Sequence, residues 1–146
     1  MQTWRQYRRK FVDVLKNLVK QEPEYTAKFL TGCYENLETK SNELFKSDLI
    51  TLLGELGRDF SFQPRVLPLI FNGLMDFESQ LLRADSIHAV REMYRNSKSN
   101  PPQNIVDILL LHLQDSYVIV HRAAVDVLRR NAHWLNEAQA RGAIGI

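Results

Sequence analysis

The sequence predicts an all-α protein of stacked antiparallel helical hairpins, and three observations support this. Apolar residues recur at three- and four-residue spacing over nearly the whole chain, and no stretch alternates strictly between turn residues as a surface strand would. Short polar or proline-bearing breaks divide that pattern into segments of ordinary helix length. The pattern also repeats along the chain, because shifting it by 37 or 39 residues lays apolar positions on apolar positions.

The elements follow in order. Trp4, Tyr7, Phe11, Val14, Leu15 and Leu18 fall at helical spacing, and Gln21-Glu22-Pro23 ends that first segment, since proline does not continue a helix interior. A second helix reaches the break at Leu37 to Asn42, and a third reaches the break between Arg58 and Pro64. Pro64 and the pair Pro101-Pro102 suit a first helical turn, where the missing N–H has no partner to lose. Asp76 and Asp115 close the fourth and sixth helices, and each carboxylate can accept from the exposed N–H groups of the helix that follows. Ser97 to Pro102 separates the fifth helix from the sixth, and the seventh runs on from Asp115-Ser116.

The repeat gives these helices a register. A shift of 39 places Val66 on Ile105, Ile70 on Leu109, Leu74 on Leu113, Asp76 on Asp115 and Arg83 on Arg122. A shift of 37 places Phe29 on Val66, Cys33 on Ile70, Leu37 on Leu74 and Lys46 on Arg83, and one further step places Val12 on Leu49 and Leu15 on Leu52. Residues 1–146 thus read as one domain: a half-repeat helix at 1–20, repeats at 24–58, 64–96 and 101–135, and the start of a further repeat at 136–146. The final Ala-Ile-Gly-Ile offers no polar cap, so the chain is expected to be a fragment of a longer protein.

Val66-Leu67-Pro68-Leu69-Ile70 through Leu74-Met75-Asp76, then Leu82-Arg83-Ala84, resembles a HEAT repeat: a first helix with proline, an aspartate turn, then arginine in the second helix. Ile105 to Asp115 with Val120-His121-Arg122-Ala123-Ala124 repeats the pattern, with Asp107 in place of the proline. The first unit departs further, with Thr31, Thr39 and Lys46 at the proline, aspartate and arginine positions. The resemblance implies a right-handed α-solenoid of about three repeats plus an N-terminal half-repeat. It also implies structural roles for Asp76, Asp115, Arg83 and Arg122 in a ladder between neighbouring repeats.

Composition narrows the function. No run approaches the roughly 18 apolar residues that cross a bilayer, and the N-terminus opens on charge and aromatics, so a cytoplasmic protein, or a nuclear one, is expected. The single cysteine, Cys33, takes a core register and would pack as a small hydrophobe. His88, His112, His121 and His133 show no paired spacing for a metal, and no nucleophile elbow, paired carboxylates or phosphate loop is present. No catalytic residue, metal, cofactor or small-molecule substrate is therefore expected. Helical stacks of this type also serve some DNA glycosylases and pigment lyases, but no pocket motif here points that way.

Binding remains. In the non-core register of the second helices, Thr51 lies over His88, Gly54 over Arg91 over Arg130, and Arg58 over Arg95 over Trp134. His88, Arg91, Arg95, Arg130 and Trp134 form a candidate partner-binding stripe, since arginine and tryptophan dominate interface hot spots. Residues 1–20 carry six basic side chains against Asp13 alone, and Arg5, Arg8, Arg9 and Lys10 make that segment a candidate basic helix. The expected function is a non-catalytic scaffold or adaptor that holds a protein partner. The alternative is a nucleic-acid-binding module that uses the stripe and the basic helix.

Overall fold

The computed structural model describes residues 3–144, apart from the side chains of Trp4, Arg5, Ala143 and Ile144. Among the described residues eight α-helices follow one another: α1 (Trp4–Gln21), α2 (Pro23–Glu35), α3 (Thr39–Leu56), α4 (Gln63–Leu74), α5 (Gln80–Met93), α6 (Gln103–Leu111), α7 (Val118–Arg130) and α8 (Glu137–Ile144). Short 3-10 turns precede α4 and follow α6 and α7, and no strand occurs among the described residues. None of these helices is long and apolar enough to cross a membrane.

Local chemistry sets the boundaries. Thr3 caps α1 in a capping box, its hydroxyl accepting from the Gln6 N–H at 3.3 Å while the Gln6 side chain accepts from the Thr3 N–H at 2.8 Å. Pro23 opens α2 and Pro64 lies in the first turn of α4, but Pro101 and Pro102 stand just ahead of α6, with Pro102 at its cap. Ser79 caps α5, its hydroxyl accepting from the Leu82 N–H at 2.9 Å. Asp76 and Asp115 therefore act earlier than a cap. Their carboxylates accept from the N–H of Glu78 at 3.1 Å and of Tyr117 at 2.9 Å, which fixes the turns ahead of α5 and α7.

Helices adjacent in sequence pack in pairs, α2 on α3, α4 on α5 and α6 on α7, while further contacts run from α1 to α3 to α5 to α7 and from α2 to α4 to α6. Leu30, Leu49, Leu52, Leu53, Ile70, Leu74, Leu82, Ile87, Leu109 and Val127, none of them measurably exposed, form one core through these contacts. The α3–α5 contact is the tightest: a Cβ on Gly54 would lie 2.9 Å from the Ala89 Cβ and 3.0 Å from its Cα. Only glycine admits that approach.

Helix α1 is seated differently. Of its described side chains only Leu15 is buried, and long side chains bridge the remaining distance to α3. Arg8 reaches Asp48 with two bonds of 2.5 and 2.7 Å, Lys16 lies 3.8 Å from Glu55, and the Phe11 and Phe45 rings sit 5.6 Å apart. Tyr7, Phe11 and Val14 remain exposed, so this part of the apolar stripe of α1 faces solvent. Cys33 is half-buried.

Candidate partner-binding surface

Beneath the surface lies a polar spine that holds the helix pairs together. Arg83 on α5 has a side chain only 2% exposed, and it donates to both oxygens of Asp115 at 3.1 and 3.3 Å and to the Asp76 carbonyl at 3.0 Å. The rings of Phe77 and Tyr117 lie over its guanidinium at 5.2 and 5.5 Å, shielding the pair from water. Burial pushes the Asp115 carboxyl up, but the bonds from Arg83 and the Tyr117 N–H outweigh it and hold the group below its ordinary value. One helix pair earlier, Lys46 donates to the Thr39 hydroxyl at 3.0 Å, and Thr39 in turn bonds Asp76.

His112, 1% exposed, closes the same cluster: its Nε2 lies 2.6 Å from the Leu74 carbonyl and its Nδ1 3.3 Å from Asp115. Burial, joined by the neighbouring Arg83 charge, keeps this imidazole below its ordinary value against the pull of Leu74 and Asp115, which suits a neutral ring donating from Nε2.

The predicted stripe lies along α5 and α7, and its charges are largely compensated. Arg91 sits 3.7 Å from Asp126 of α7, which also accepts from Arg130 at 3.0 Å. Arg58 and Arg95 share Glu92 at 3.2 and 3.8 Å. His88 is exposed. Further along the same contacts Ser47 bonds Asp85, whose carboxyl is raised chiefly by burial.

Trp134 corrects the sequence expectation, because its side chain is 5% exposed and packs edge-on against Tyr94 at 6.1 Å. Helix α7 ends at Arg130, and the following 3-10 turn, with the Trp134 N–H bonded to the Asn131 carbonyl at 2.9 Å, swings the indole inward. It belongs to the core and not to an accessible surface.

The candidate basic helix is α1. Arg8 is held by Asp48, which lifts its already high pKa, while Arg9 and Lys10 are exposed. The side chain of Arg5 lies outside the described residues. Grooves run along the seam between α1 and α3. One of about 600 Å³ includes Lys16, Lys20, Arg58, Glu55 and Glu92, one of about 440 Å³ includes Arg9, Asp13 and Asp48, and an almost wholly apolar one of about 430 Å³ includes Tyr7, Phe11 and Phe45. The first two together are lined by five basic and five acidic side chains.

Carboxylates near in sequence, Glu92 or Asp85, were the readable partners for Arg91, whereas the structure gives it Asp126. The Glu92–Arg95 and Asp126–Arg130 spacings of three and four residues were readable as helical ion pairs. The Arg91–Asp126 and Arg8–Asp48 links depend on which helices meet, which spacing alone does not give. Among the described residues no group of three or more metal-ligating side chains converges. Comparison of the chain with protein-family models, with curated proteins and with solved structures finds no match.

Proposed function

We propose that this chain is a HEAT-like α-solenoid of about three helical hairpins and an N-terminal half-repeat, and that it acts as a non-catalytic scaffold holding a protein partner on the α1, α3, α5 and α7 side. The solenoid reading is supported by links that run from one helix pair to the turn of the next, Thr39 with Asp76 and Arg83 with Asp115. A cytoplasmic or nuclear setting belongs to the same reading.

The observation that carries the partner class is the sharing of carboxylates: Asp126 between Arg91 and Arg130, Glu92 between Arg58 and Arg95. A polyanion is gripped by unshared cations that displace its counterions. A surface on which both signs alternate instead favours a protein with the complementary pattern. Nucleic-acid binding is the reading this disfavours.

The test is affinity capture with the intact chain beside a variant carrying Arg91→Glu and Arg130→Glu, both at exposed or half-exposed positions that leave the core intact. The expected result is a defined protein recovered by the parent chain, lost by the variant and insensitive to nuclease. Recovery that nuclease abolishes would transfer the assignment to nucleic acid, and identical recovery by both chains would remove this surface from the function.

A further inference from the structure

Four arginines meet two carboxylates across α3, α5 and α7, and the hydrogen bonds divide unevenly among them. Arg130 donates to Asp126 at 3.0 Å and Arg58 to Glu92 at 3.2 Å. Arg91 and Arg95 reach those same carboxylates only at 3.7 and 3.8 Å, too far for a hydrogen bond, and neither donates to another acceptor among the described residues. Asp85, the other carboxylate of α5, is bonded to the Ser47 hydroxyl. Arg91 on the last turn of α5 and Arg95 just past its end thus keep their N–H forks open, with side chains 39% and 64% exposed.

The charge left over has a definite sign and place. Within this group four cations face two anions, and the surplus sits on the two arginines without hydrogen bonds. A guanidinium fork is matched in shape by a carboxylate or a phosphate. Glu92 and Asp126 decide between these, because each stands beside an open fork and repels negative charge beyond what the two arginines receive. A phosphate chain brings such charge at every step, whereas a protein segment can follow an acidic residue with neutral or basic ones.

We propose that Arg91 and Arg95 receive two carboxylates from one acidic segment of the protein partner, laid across the C-terminal end of α5 with neutral or basic residues opposite Glu92 and Asp126. This rests on the reading of the α1, α3, α5 and α7 side as the partner surface, and adds the sign and number of the partner's charges and the residues that receive them. Arg58 and Arg130 occupy Glu92 and Asp126, which keeps those carboxylates from closing on the open forks.

The probes are capped peptides whose only charges are two glutamates, set three, four or seven residues apart, beside a peptide with one glutamate and a DNA duplex. Each is titrated into the intact chain while the arginine Nε–H resonances are followed by NMR, which reads weak binding. One spacing is expected to bind about three- to fivefold tighter than the single glutamate, the worth of one further exposed ion pair, and to shift Arg91 and Arg95 ahead of Arg58 and Arg130. Arg91→Gln with Arg95→Gln should abolish that gain. Arg122→Gln with Arg129→Gln, which removes the same charge from exposed positions on α7, should leave it intact. Two glutamates that bind no tighter than one at every spacing, or a gain that survives Arg91→Gln with Arg95→Gln, overturn the proposal. So does DNA that shifts the same two arginines at lower concentration than any peptide. Such a failure with protein capture still lost in the Arg91→Glu and Arg130→Glu chain overturns the carboxylate pair alone, and failure of both removes the surface as well.

Discussion

Replacing Asp115 by alanine tests the polar spine most directly. The substitution leaves the Arg83 guanidinium 2% exposed with one remaining protein acceptor, the Asp76 carbonyl, after losing both carboxylate oxygens. Breaking a buried pair from one side costs about 3–5 kcal/mol, because the surviving charge keeps its desolvation penalty. The Tyr117 N–H also loses its acceptor, but Tyr117 is exposed and water replaces the bond. For a chain of this size each kcal/mol moves Tm by about 2–4 °C, so a fall of roughly 6–20 °C is expected. Urea unfolding followed by circular dichroism measures the free energy, and Arg83→Met with Asp115→Leu supplies the control, since removing both charges should recover most of the loss. A cost for Asp115→Ala of less than about 1 kcal/mol, the value of an exposed pair, would refute the assignment. A double variant no more stable than the single would refute it as well.

Further outcomes are expected. Stability should fall in two stages on acidification. His112 is held low in the folded chain, so its contribution is lost as pH drops below its unfolded value of about 6.5, whereas the depressed Asp115 carboxyl contributes above its unfolded value of about 4 and is lost as pH falls through the folded one. In urea titrations across that range, His112→Gln should remove the upper stage; an unchanged profile would exclude the imidazole. Gly54→Ala gains about 1 kcal/mol of helix propensity but overpacks the α3–α5 contact by about 1–3 kcal/mol, for a net loss near the difference. A double-mutant cycle with Ala89→Gly should show favourable coupling, incomplete because the Ala89 Cα and carbonyl stay within 3.0 and 3.1 Å; additivity would refute the close approach. Replacing Asp126 and Glu92 by alanine frees four arginines, and the variant should acquire salt-sensitive binding to duplex DNA that the parent lacks. Equal binding by both chains would deny the carboxylates a masking role.

The helical class was legible because its signals are local: spacing of apolar residues, prolines at helix starts and aspartates in turns all act within a few residues. A structural role for Arg83 and Asp115 was implied by the resemblance to HEAT repeats, and the two meet at 3.1 Å. Trp134 was not, because the register was carried past Arg130 as if α7 continued, whereas the chain leaves the helix at Asn131. On α1 the periodic stripe of Tyr7, Phe11 and Val14 is readable, but periodicity marks a face without naming what covers it. Of that stripe Leu15 and Leu18 pack inward beside Val12 and Val19, Phe11 meets Phe45 of α3, and Arg8 bonds Asp48. The compensation of the arginine stripe escaped for a related reason, as the carboxylate that meets Arg91 lies 35 residues away on another helix.

The loose seating of α1 has a kinetic consequence. Where α3 crosses α5 a Cβ added to Gly54 would lie 2.9 Å from the Ala89 side chain, while the described side chains of α1 offer one buried leucine, three partly buried aliphatics (Val12, Leu18 and Val19), an aromatic contact and ion pairs whose side chains are 16–44% exposed. Such pairs contribute about 0–1 kcal/mol each and weaken with salt. The N-terminal helix thus undocks at lower free energy than α3 or α5, as a local opening well below global unfolding. Its amide protons should exchange with solvent before those of α3 and α5, faster as ionic strength rises. A partner lodged in the α1–α3 seam would slow that exchange, turning this helix into a reporter of occupancy.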